Sequence, residues 1–215
     1  MSLRDGLTAL YEEGQRVWPA EARAIIERNA EELAATGMDR DALGAEDRAP
    51  EFDLPSATGN RITLDALLAE GPVVLTFYRG AWCPYCNLAL RALQQSHDAI
   101  QARGARLVAV TPQIPDESLS LTEKHELGFE VLSDIGSDTA KQYGLAFDLS
   151  GELAALYDQI GFDLQRVNGG HARTLPLPAT YVIGRDGVIR WAFVDTDYTK
   201  RAEPADILAA LDALG

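Results

Sequence analysis

Two cysteines are present in the chain, and they stand three positions apart: Cys83 and Cys86, in the segment Phe77 to Asn87, FYRGAWCPYCN. A thiol pair at this spacing can cycle between dithiol and disulfide. It follows an apolar stretch, VVLTFY over residues 73–78, and opens a helical one. That context makes a Cys-x-x-Cys pair a redox candidate. Cys83 falls at the expected helix start, where unpaired N–H groups and the helix dipole favour a thiolate. Such thiols have pKa values lowered to about 3.5–7.5. Pro84 suits the first helical position, where its missing N–H has no partner to lose. Cys86, one turn on, lies on the same helix face and can resolve a mixed disulfide at Cys83 without chain movement. On this reading Cys83 is the exposed, acidic nucleophile and Cys86 the buried resolving thiol.

Rival readings of the pair differ in what else they need. A zinc site requires two further ligands, and His97, His125 and His171 are isolated from the pair and from one another. A purely structural disulfide across three residues closes too small a loop to constrain the unfolded chain much. A binding protein on a retired redox fold would not need both thiols at a helix start. Around the pair, Arg79 either holds a thiolate or an anionic substrate, or is a solvated loop residue. Trp82 and Tyr85 are expected to shape a contact surface for a partner protein. His125 and His171 read as surface groups, although His171 precedes Pro178 in a long loop and is within reach of the site. Asp195, Asp197, Lys200 and Arg201 read as a solvated charged stretch. Asn168-Gly169-Gly170 has no phosphate-loop context and reads as a turn.

The elements that must position these residues follow from periodicity. Residues 1–45 form a helical extension: Leu3, Leu7, Leu10, Gly14 and Val17 share one face, Pro19 breaks the pattern, and Ala22, Ile25, Ile26, Asn29 and Leu33 share the next. Each apolar stripe must be buried against the rest of the chain or a second subunit, so a homodimer is one expected arrangement. Residues 38–49 read as a linker. Residues 51–64 read as a hairpin, 73–78 and 105–111 as buried strands, and the segment from Cys83 to about Ile100 as one helix. A helix around 117–126, a strand at 129–132, and helices at 139–143 and 152–160 follow. Residues 161–177 read as a loop. Strands at 180–183 and 188–194 flank the turn Asp186-Gly187, and Pro204 opens a last helix. Pro178 marks a strand start, since proline cannot sit inside a central strand. Right-handed crossovers make the first strands parallel and the closing hairpin antiparallel. The fold class is therefore α/β, a central mixed sheet flanked by helices, spanning residues 46–215 behind the extension.

Composition narrows the function classes. The chain has 215 residues, 47% hydrophobic and 24% charged, with a formal net charge of -14. So acidic a surface repels phosphate backbones and anionic lipid, which argues against nucleic acid and membrane partners. No apolar run approaches the roughly 20 residues of a spanning helix. Charges at Arg4, Asp5, Glu12 and Glu13 interrupt any signal-peptide core, so a cytoplasmic location is expected. No metal, haem or flavin is implied.

Four segments together carry a family resemblance: DRAPEFDLPSATG (47–59), VVLTFYRGAWCPYC (73–86), VLSD (131–134) and YVIGRDGVIRWAF (181–193). Over about residues 46 to 215 the sequence resembles the peroxiredoxin-like branch of the alkyl hydroperoxide reductase and thiol-specific antioxidant family. The resemblance implies a thioredoxin-like fold, a role in redox homeostasis, a disulfide or hydroperoxide substrate, and a thiol reductant such as thioredoxin or glutathione. It also implies a cis proline at Pro178 facing the dithiol.

Departures from that pattern divide the reading. Counting from Phe77-Tyr78, Cys86 falls at the peroxidatic position, but the family's proline is Arg79 and its Thr is Cys83. The family's peroxide-polarising arginine would fall near Pro178. Counting from Trp82-Cys83, the motif is similar to thioredoxin's, with Cys83 as nucleophile, yet thioredoxin's buried acid is here Thr76. With both peroxide donors replaced, disulfide exchange is expected to exceed peroxidase activity. The alternative is a thiol-dependent peroxidase acting through Cys86.

Overall fold

Val73 to Phe77 (β3) is buried at every position, as an uninterrupted run of apolar and β-branched residues requires of a strand covered on both faces. It is the centre of a five-stranded sheet in the computed structural model, which describes residues 2–118, 122, 126–171 and 173–214. In chain order the elements are α1 (Leu3–Val17), α2 (Ala20–Thr36), α3 (Met38–Asp41), β1 (Asp53–Pro55), β2 (Arg61–Thr63), α4 (Leu64–Glu70) and β3, then α5 (Pro84–Gln95), α6 (His97–Gln101), β4 (Arg106–Thr111) and β5 (Glu130–Ser133). There follow α7 (Asp138–Gln142), β6 (Ala146–Asp148), α8 (Gly151–Gln159), α9 (Leu164–Val167), β7 (Thr174–Pro176), β8 (Ala179–Ile183), β9 (Ile189–Val194) and α10 (Pro204–Asp212).

The sheet order is β5-β4-β3-β8-β9. β3, β4 and β5 run parallel; β8 pairs antiparallel with β3, and β9 with β8. This is the mixed sheet the crossover argument requires, with helices on both faces. Thr76, where thioredoxin would carry an acid, is buried opposite Thr180, and their hydroxyls lie 2.9 Å apart. Its Oγ1 also donates to the Ala179 carbonyl at 3.2 Å. The VLSD segment is structural: the buried Asp134 carboxylate accepts from the first-turn amides of Thr139 (3.0 Å) and Ala140 (2.9 Å), capping α7.

α1 opens on a capping box, Ser2 with Asp5, and α2 stops at Gly37 in the left-handed region. Leu7 is buried in the cluster that also holds Cys83, Cys86 and Leu90, with Leu3, Leu10 and Leu88 packed beside it. Burial of one such leucine stabilises by about 1.5–3 kcal/mol. α2 lies on α8: Ala22, Ile25 and Ile26 meet Leu153, Ala154 and Tyr157, and Arg28 pairs with Glu152 at 2.7 Å.

Several elements depart from expectation. The helix expected over 83–100 is two: Ser96, its N–H turned back to Leu93 O at 3.1 Å, separates α5 from α6. The expected linker contains α3. The expected loop over 161–177 contains α9 and β7, and β7 pairs with β6, which periodicity cannot find in three-residue strands. The helix expected around 117–126 lies largely outside the described residues, as does His125.

Candidate functional site

The two sulfurs sit where β3 runs into α5. The connecting loop, residues 78–83, is held in one shape by short-range bonds. Ala81 N–H donates to Gln113 Oε1 at 2.6 Å, Asn87 Nδ2 to Ala81 O at 2.9 Å, and Cys83 N–H to Gly80 O at 3.1 Å. Gly80 has φ 149, and a Cβ there would stand 2.4 Å from Trp82 Nε1, so glycine is required. Cys83 is the N-cap of α5 and Pro84 its first residue, as the sequence predicts.

Both thiols are reduced and buried: Cys83 is 2% exposed and Cys86 0%. The expected order of acidity is reversed. Burial raises the Cys83 pKa well above the ordinary range, and its hydrogen bond to Cys86 raises it further. Burial also works against a Cys86 thiolate, but is outweighed there. The Cys83 thiol donates to it, the Arg201 and Arg79 guanidinium charges face it, and the Arg79 backbone N–H reaches it, leaving its pKa well below the ordinary range. Both directions favour Cys86 as the thiolate of the pair and Cys83 as the thiol. The helix-dipole argument fails because Cys83 is desolvated beneath neighbouring side chains, while Cys86 gains a cation that no local pattern announces.

That cation is Arg201, in the turn between β9 and α10. Its Nη2 donates to Cys86 Sγ at 3.0 Å. Its Nη1 donates to the carbonyls of Tyr198 (2.8 Å) and Lys200 (2.6 Å), which aims the fork. Asp195 and Asp197 build the turn behind it, accepting from the backbone amides of Asp197 and Thr199. The stretch read as solvated surface thus delivers one arginine to the sulfur.

Arg79 is buried, not a solvated loop residue. Its guanidinium lies 4.9 Å from the Trp82 ring centre, 5.4 Å from Tyr198 and 5.7 Å from Tyr157, and its Nη2 donates to the Tyr157 hydroxyl. Among the described residues, the buried Nε atoms of both Arg79 and Arg201 have no hydrogen-bond partner.

Trp82 packs between Tyr157 and Phe162, with ring centres at 5.4 and 5.0 Å. Tyr85 is buried edge-on to Tyr198 at 5.4 Å, and burial pushes its hydroxyl up to about 12. Neither ring stands out from the surface: Tyr85 is buried, and the half-buried Trp82 lines the cleft beside Cys83. Pro178 is also corrected. No peptide among the described residues is cis, and Pro178 does not line the cleft beside Cys83. Leu177 and Pro178 join β7 to β8, and the Pro178 carbonyl accepts from Asp195 N–H at 3.4 Å. His171 is exposed beside Gly136, away from the thiols. Among the described residues no cluster of three His, Cys, Asp or Glu side chains is arranged to hold a metal.

A cleft of about 1150 Å³ opens onto Cys83. Its floor is Arg79, Trp82, Cys83, Tyr198 and Arg201, and its roof is α1 and α2, with Leu7, Tyr11 and Trp18 facing in.

The profile of the AhpC/TSA family matches residues 45–192. The chain is 25% identical over 175 residues to chloroplastic peroxiredoxin Q of Triticum aestivum, covering 81% of this chain and 70% of that protein. It is 28% identical over 103 residues to peroxiredoxin Bcp of Escherichia coli (strain K12), covering 48% and 65%. Among solved structures, peroxidoxin BcpB from Mycobacterium tuberculosis superposes with a TM-score of 0.64 at 22% identity, over 80% of this chain and 99% of that one. With a reduced thiol pair set at the head of α5 on a peroxiredoxin-type sheet, the chain belongs to the AhpC/TSA family and is a thiol-based oxidoreductase.

Proposed function

We propose that the protein is a thiol-dependent peroxidase in which Cys86 attacks the hydroperoxide and Cys83 resolves the product. This favours the alternative over disulfide exchange led by Cys83. One observation carries it: the Cys86 sulfur accepts from Arg201 at 3.0 Å, while the buried Nε atoms of Arg201 and Arg79 have no partner among the described residues. The family's two donors are replaced in sequence, but two guanidinium groups stand in the same neighbourhood. They supply what a peroxidase needs, donors aimed at charge developing on the leaving oxygen.

The chemistry balances as follows. The Cys86 thiolate attacks the terminal oxygen of ROOH, the O–O bond breaks, and Cys86 becomes a sulfenic acid. The departing alkoxide, held by the arginines, takes a proton from solvent and leaves as ROH. The Cys83 sulfur then attacks the Cys86 sulfur. Its thiol proton leaves with the hydroxyl as water, and a Cys83–Cys86 disulfide remains. A thiol reductant returns the pair to the dithiol.

Stopped-flow oxidation of the reduced protein by one equivalent of hydrogen peroxide tests this. Expected is loss of two titratable thiols per chain in the wild type, a dimedone-trappable sulfenic acid in Cys83→Ser, and no reaction in Cys86→Ser. Sulfenic acid on Cys83 in the Cys86→Ser protein would reverse the roles.

A further inference from the structure

We propose that α1 and α2 act as a size filter over the thiols, so that the disulfide is reduced by a low-molecular-weight thiol and not by a folded protein reductant. The inference rests on the disulfide-forming cycle proposed above. It concerns what reaches the pair, not how peroxide reacts.

The first support is the way the roof is fastened. α1 is docked on α5 through Leu7, with Leu3 and Leu10 beside it, and the Arg4 backbone N–H donates to Glu203 Oε1 at 2.6 Å. α2 is docked on α8 through Ala22, Ile25 and Ile26, with the Arg28–Glu152 pair at its edge. Both helices lie outside the family-matched residues 45–192. The second support is access. A protein dithiol must bring its own helix terminus against the target sulfur, yet Cys83 and Cys86 are 2% and 0% exposed. Of the aromatic rings flanking the motif, Tyr85 is buried edge-on to Tyr198 and the half-buried Trp82 packs on Tyr157, inside the cleft. The third is volume: a cleft of about 1150 Å³ admits a tripeptide-sized thiol.

The direction of attack follows from the same geometry. The cleft is lined by Cys83 and not by Cys86. An incoming thiolate RS⁻ therefore attacks Cys83 Sγ, the Cys83–Cys86 bond breaks, and Cys86 leaves as the thiolate that Arg201 already holds. The more acidic thiol leaves faster. A second RSH, deprotonated, displaces the mixed disulfide to give RSSR, and Cys83 takes up the proton. Two small thiols are oxidised and one protein disulfide is reduced.

The test starts from full-length protein oxidised to the disulfide. Recovery of two thiols is followed with millimolar glutathione, and separately with micromolar thioredoxin, its reductase and NADPH. Expected is recovery with glutathione and no acceleration by thioredoxin over the blank. Leu7→Asp, which places a carboxylate in the α1–α5 contact, should raise the thioredoxin rate at least tenfold. Gly14→Pro, which breaks α1 in its last turns, serves the same purpose if Leu7→Asp does not fold. Saturable turnover of the intact protein at micromolar thioredoxin overturns the filter, as does failure of glutathione to restore the thiols. If no disulfide forms with peroxide, the peroxidase reading fails first. Disulfide made with diamide then still tests the filter separately.

Discussion

Arg201 and Cys86 are 115 positions apart in the chain and 3.0 Å apart in space, guanidinium Nη2 to sulfur. The contact adds to the hydrogen bond from the Cys83 thiol in lowering Cys86, while burial raises Cys83 against the pull of the same guanidinium charges. Arg201→Met is expected to lower the rate constant with hydrogen peroxide about 100-fold, the loss typical of one donor to developing charge. The pH midpoint of iodoacetamide labelling at Cys86 should move upward in parallel. Arg201→Lys should recover part of both, because it keeps the charge but not the fork. An unmoved midpoint in Arg201→Met means the thiolate is held by other groups.

Stability should depend on pH in opposite senses for the two thiols. Cys86 is lowered in the folded state, so its contribution is complete above the unfolded value of about 8.5 and is lost as pH falls toward the folded value. Cys83 is raised, so its contribution is complete below about 8.5 and is lost as pH rises through its folded value. Urea unfolding of reduced wild type against Cys86→Ala should show a gap that shrinks from pH 8.5 to pH 5. Against Cys83→Ala it should shrink from pH 8.5 to pH 10. Parallel curves would contradict both assignments.

Closure of the disulfide should also protect against over-oxidation. The Cys83 thiol already hydrogen-bonds the Cys86 sulfur, so no unwinding of α5 need precede the second step. Under excess hydrogen peroxide, mass spectrometry should find disulfide in the wild type and sulfinic acid at Cys86 in Cys83→Ser. Sulfinic acid in the wild type at comparable yield would show that closure is slow.

Thr76 is a strand-pairing residue. Thr76→Val, which removes its hydroxyl from Thr180 and Ala179, should cost about 1 kcal/mol in chemical denaturation. Peroxide kinetics should not change, and a kinetic effect would give Thr76 a role in proton transfer.

How much of this was legible in the sequence depends on range. The buried run at Val73–Phe77, the N-cap at Cys83 and the helix start at Pro84 are written locally, in apolar continuity and in the shape of proline, and the structure repeats them. The three-residue strands β6 and β7 are too short for any period. Arg201 was hidden for a different reason: its neighbours Asp195, Asp197 and Lys200 make a locally complete charged turn, and nothing within that turn reports a sulfur on another element. The acidity of the thiols does not follow from the helix terminus alone, because burial in the packed cluster outweighs it at Cys83. Long-range packing decided both.

The family-matched span, residues 45–192, holds both sulfurs and Arg79, yet neither Arg201 nor the α1–α2 roof. Both sulfurs thus lie in the shared middle, while the cation beside Cys86 arrives from the carboxyl-terminal flank and the wall over the cleft from the amino-terminal one. Such an arrangement lets reactivity and admission drift separately. A descendant could exchange its leading helices for others and meet new small molecules with an unaltered thiolate, or lose its trailing arginine and keep the same doorway to a dormant one.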